Sequence, residues 1–118
     1  MTVKQAIIAF SQSETIKSGL IWLSQAIEIQ KSLSDTERRG AEKSVRTLLS
    51  MIGREVYVAR KVTEDASWED AEKHIDLAMV MMNSGVAHEA VYHMTQALSH
   101  VTDIGQRAMT YLRRDGLI

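Results

Sequence analysis

The 118-residue chain contains no proline and no cysteine, and its six glycines stand singly. Without cysteine there are no disulfides, no thiolate zinc sites and no thiol nucleophiles, so the fold must stand on packing alone. Without clustered glycines there is no loop of backbone N–H groups to cradle a phosphate. Without proline, nothing in the chain forces a helix to break. Long apolar runs are missing as well. Ala6-Ile7-Ile8-Ala9-Phe10 is too short for the core of a secretory signal, and Leu77 to Met82 falls far below the ~20 residues of a membrane span. Nor is there an excess of one charge, the net being −1. The class expected from these absences is a soluble cytoplasmic protein with no membrane partner.

Apolar residues recur every three or four positions almost from end to end, which is helical spacing. Three interruptions carry stop and start signals. Ser34-Asp35-Thr36-Glu37 has the spacing of a capping box, in which serine accepts a backbone N–H and glutamate reaches back. The helix it starts reaches about Thr63. Ser67-Trp68-Glu69-Asp70 opens a third helix with acids where the helix dipole favours them. Asn83-Ser84-Gly85 closes it, and a fourth runs from about Val86 to Arg114. The first helix has two readings. Ser11-Gln12-Ser13-Glu14 either caps it, leaving residues 1–12 as an N-terminal helical arm, or lies inside one unbroken helix from Val3.

Short connections between long helices force antiparallel neighbours, so the expected fold is an all-α, up-down four-helix bundle in a single domain, residues 1–118. Its core is expected at Leu20, Leu23, Ile27, Val45, Leu48, Ile52, Val56, Ala59, Trp68, Ile75, Ala78, Met82, Met94, Ala97 and Val101. The third helix is the shortest, so one side of the bundle is covered for only part of its length. Either the arm or another chain fills the gap.

Charge is divided by helix. Residues 34–63 carry seven basic and four acidic side chains, net +3, whereas residues 64–85 carry one basic and six acidic, net −5. Arg39, Lys43, Arg46, Arg54 and Lys61 form a basic stripe that includes Tyr57, a pattern that can follow a nucleic-acid backbone. Asp35–Arg39, Glu42–Arg46, Glu69–Lys73 and Asp103–Arg107 place an acid four residues before a base, which suits helix-stabilising pairs on a solvated face. A net charge near zero argues against nucleic acid as a partner.

Four histidines offer the main chemical signal. His88 and His93 are five apart, one too many for the H-E-x-x-H zinc motif, and point about 140° apart on a helix. Glu89, His93, Gln96, His100, Asp103 and Arg107 fall in a strip down the fourth helix, and Asp70–His74 repeats the acid-to-histidine spacing. Glu89, His93 and His100 are therefore the candidate metal or small-ligand residues, requiring further ligands from a facing helix. No histidine has the H-x-x-K-G context of phosphotransfer bundles, since Leu77, Val91, Gln96 and Asp103 occupy the third positions. Glu69-x-x-Glu72 lacks the second acidic pair of magnesium pyrophosphohydrolases, as Tyr92 follows Glu89 at that spacing. No catalytic signature and no cofactor are expected.

What remains is surplus apolar surface. A bundle helix normally needs one apolar stripe. Here Trp22 and Ile29, Met51 and Val58, and Val91, Leu98 and Gly105 form second stripes at seven-residue spacing, while Leu77 and Met81 lie in a segment apolar all round. These nine residues are the candidate interface. The expected function is a non-enzymatic interaction or scaffold protein that self-associates, most simply as a dimer, with a further protein partner conceivable. The alternative is a metal- or ligand-binding bundle using the His93/His100/Glu89 strip.

Overall fold

Thr2 and Gln5 start the first helix. In the computed structural model, which describes residues 1–118, the Gln5 N–H donates to the Thr2 hydroxyl at 3.1 Å and the Thr2 N–H to the Gln5 side chain at 2.9 Å. This is a capping box, and the helix behind it, α1, runs unbroken over Val3–Gln30. There is no separate arm. Ser13 lies buried in mid-helix, its hydroxyl donating to the Phe10 carbonyl at 2.8 Å. The inward line Ala6, Ala9, Ser13, Ile16, Leu20, Leu23, Ile27 passes straight through the alternative start, so packing holds the helix together there.

The other boundaries follow the sequence signals. α2 spans Asp35–Thr63 behind the Ser34–Glu37 capping box and ends on Glu64 in the left-handed region, φ 54°. α3 spans Ser67–Asn83, with Asp65 accepting the Ser67 N–H at 2.9 Å in place of a side-chain cap. Gly85 at φ +77° turns the chain, and the Val86 N–H donates back to the Met81 carbonyl at 2.9 Å. α4 then covers Ala87–Arg114.

The four helices form an antiparallel ring, each packing on its neighbours in chain order and α4 closing on α1. The backbones of the diagonal pairs α1–α3 and α2–α4 stay farther apart, with all four helices sharing one core. The bundle measures 53 × 22 × 18 Å, has no strand and has no helix long and apolar enough to cross a membrane. The core matches the expected face except on α2. There Leu49 is fully buried, Ile52 is half-buried, and Leu48 stands 47% exposed. Gly53 explains the rotation. A Cβ there would sit 3.3 Å from the Ile75 methyl, so α3 draws the Leu49 side of α2 inward and turns Leu48 out towards α1.

Candidate functional site

Between α1 and α2, on the outer side, lies an apolar groove of about 480 Å³. Its walls include Gly19, Trp22 and Ala26 from α1 and Leu48, Met51 and Ile52 from α2. Glu55 marks one end, where its carboxylate accepts from the Gln12 amide at 3.4 Å. Gly19 brings the two helices together, since a Cβ there would meet Ile52 at 3.3 Å. Trp22 stands at the groove edge with 69% of its surface in solvent. Ile29, Met51, Val58 and Val62 are exposed too, so two of the seven-residue stripes lie on neighbouring helices.

The third stripe goes elsewhere. Gly105 is buried, and a Cβ added to it would overlap the Ser13 hydroxyl of α1. Val91 and Leu98 are half-buried against the core, as is Met81, and Leu77 is half-buried on α3. The α4 stripe thus packs inward, with Gly105 seating α4 against α1. The exposed members of the candidate interface are Trp22, Ile29, Met51 and Val58, all on α1 and α2.

The histidine strip gains a partner that its own helix does not show. His74 of α3 lies against α4, with its ring stacked at 5.5 Å from His93 and 5.6 Å from His100. The Nδ1 atoms of His74 and His93 are 3.3 Å apart, a hydrogen bond that needs a proton on one ring and a lone pair on the other. All three rings are half-buried. Burial, aided by His100, His93 and Lys73, holds the His74 pKa below the usual histidine range, opposed by Asp70. Glu89 is not part of this cluster. It lies 3.7 Å from His88, which is exposed. No set of three or more histidine or acidic side chains converges as metal ligands.

On the basic stripe, Arg60 and Lys61 sit over the Tyr57 ring at 5.3 and 5.6 Å. Arg46 lies 4.0 Å from Glu42 as the spacing suggests. The other expected pairs are not made: Asp35 meets Arg38 at 3.6 Å, and Arg107 reaches across to Asp65 at 4.0 Å. Arg60 bridges to Glu72 of α3 at 3.4 Å. The exposed pairs among these contribute little, of order 0–1 kcal/mol each, whereas Arg60–Glu72 is partly buried.

No family model, no curated protein and no solved structure matches this chain.

Proposed function

We propose that this protein is a non-enzymatic, cytoplasmic interaction module that self-associates as a two-fold dimer through the outer face of α1 and α2. One observation carries the reading: Trp22, 69% exposed, stands beside an apolar groove of about 480 Å³ on the same face. The fold does not need that indole, since Trp68 is the tryptophan of the core, at 0% exposure. An isologous interface brings one patch against itself, so a protruding side chain and a groove in one patch are the two halves such a contact requires. The long side of the bundle, 53 × 22 Å, exceeds the roughly 800 Å² per partner that a stable interface buries. Tryptophan in a desolvated pocket is a frequent anchor of binding energy, and Met51 adapts to irregular contacts. The alternative of a ligand site on the Glu89/His93/His100 strip has no comparable support, because Glu89 stands apart from the rings.

Light scattering at micromolar concentration tests the reading. The expected mass is twice 13.3 kDa, and Trp22→Glu should return the monomer with its helix content intact. A wild-type chain at 13.3 kDa under those conditions defeats it.

A further inference from the structure

The imidazole cluster between α3 and α4 plays no part in the dimer face. We propose that it is a proton-operated latch: His74, His93 and His100 hold α3 against α4 while one proton is shared at the His74–His93 contact, and acidification loosens α3.

Geometry supplies the mechanism. The His74–His93 contact at 3.3 Å works with one proton between the two Nδ1 atoms. Add a second, and two N–H donors face each other with no acceptor between them. His100, stacked at 5.6 Å on His74, would bring a third like charge to the same seam. The groups around the cluster relieve little of this charge. From α3, Asp70 favours a charged His74 and Lys73 opposes it. From α4, Tyr92 contributes a ring edge at 5.2 Å from His93. Glu89 lies by His88 instead, and neither Glu89 nor Asp103 forms an ion pair with any of the three rings. Towards α2, α3 presents Glu72, paired with Arg60. The depressed pKa of His74 agrees with this geometry, because the fold already resists its protonation.

The consequence falls on α3 for a structural reason. It is the shortest helix, 17 residues, and its other neighbour, α2, packs on it more lightly than α4 does. Histidine pairs that charge near pH 6 are a known means of releasing packed elements. Trp68 reports the release, since it is carried by α3 and is wholly buried.

The full chain carrying Trp22→Phe has Trp68 as its sole tryptophan. Acrylamide quenching of that residue and far-UV circular dichroism are followed together from about pH 8 to about pH 5, across the histidine range. The expected result is a rise in quenching of roughly twofold or more, beginning before helix content falls, as for local opening. Adding His74→Gln should abolish the early rise, whereas His88→Gln should leave it. Should His74→Gln fail to fold, His100→Gln serves: it removes one charge without touching the 3.3 Å bond and should move the onset to lower pH. Quenching that stays flat until the whole chain unfolds, or an onset that neither substitution moves, overturns the latch.

Discussion

Gly105 of α4 lies so close to Ser13 of α1 that a Cβ on the glycine would overlap the serine hydroxyl. The hydroxyl cannot simply swing away, because it donates to the Phe10 carbonyl at 2.8 Å. Two effects therefore oppose each other in Gly105→Ala. Alanine favours a helix by roughly 0.8–1.0 kcal/mol, whereas overpacking a tight seam costs about 1–3 kcal/mol. Overpacking should win, and urea denaturation should show a net loss. Ser13→Gly in the same chain should recover most of it, which makes the coupling measurable as a double-mutant cycle.

Adjacent leucines on α2 should behave in opposite ways. Leu49 is at 0% exposure in the core, so Leu49→Ala should cost about 2–5 kcal/mol of folding stability. Leu48, 47% exposed at the groove, should lose far less within the monomer, near the ±0.5 kcal/mol of surface changes. Its effect should appear instead in the dimer dissociation constant. Thermal melts of the two variants and a dilution series separate these outcomes.

The contrast between those leucines shows what sequence can and cannot carry. Helix ends were legible where the chain holds the chemistry that makes them, as at Ser34–Glu37 and Gly85. The start of α1 was not, because Thr2-x-x-Gln5 and Ser11-x-x-Glu14 are both capping patterns, and packing of Ala6 and Ala9 chose between them. On α2 the apolar arc is wide enough to admit Leu48 or Leu49, and the approach of Ile75 to Gly53 sets the rotation. Periodicity shows the faces of one helix but not which faces meet. For that reason Val91, Leu98 and Gly105 read like Trp22 and Met51 although the first two pack against the core and α1 covers the glycine, and His74 joins His93 and His100 only in three dimensions.

Asp76 gives a second, independent pH signature. Its carboxyl is held above the usual aspartate range, first by partial desolvation and then by Glu72, although the residue as a whole is exposed and solvent screening keeps the effect on stability small. A raised folded-state pKa means the native chain binds the proton more tightly than the unfolded one. The contribution to stability is then full below the unfolded aspartate value and is lost as pH rises through the folded one. At neutral pH the charged form is a net burden. Asp76→Asn should therefore stabilise the bundle at about pH 7, and the gain should shrink towards about pH 3. His74 slopes the same curve the other way. Its folded-state pKa is depressed, so its contribution is present above the unfolded histidine value and lost as pH falls below it. Chemical denaturation across the two ranges, with His74→Gln beside Asp76→Asn, assigns each slope to its residue.

The two tryptophans make the dimer face visible without any label. Trp68 is at 0% exposure within the single chain, so a Trp22→Phe chain should emit at short wavelength at every concentration. Trp22 is 69% exposed in the single chain, and in the proposed dimer it would be covered by the second copy. A Trp68→Phe chain, provided circular dichroism shows it folded, should therefore shift from long to shorter emission as concentration rises. The midpoint of that shift reads the dissociation constant directly. Met51→Glu in the Trp68→Phe background places a charge in the apolar patch and should move the midpoint upward by tenfold or more, equivalent to about 1.4 kcal/mol. Arg113→Ala, an exposed position on α4 away from that face, should leave it nearly in place. Emission from Trp22 that stays at long wavelength throughout would mean that some other surface joins the copies, or that none does.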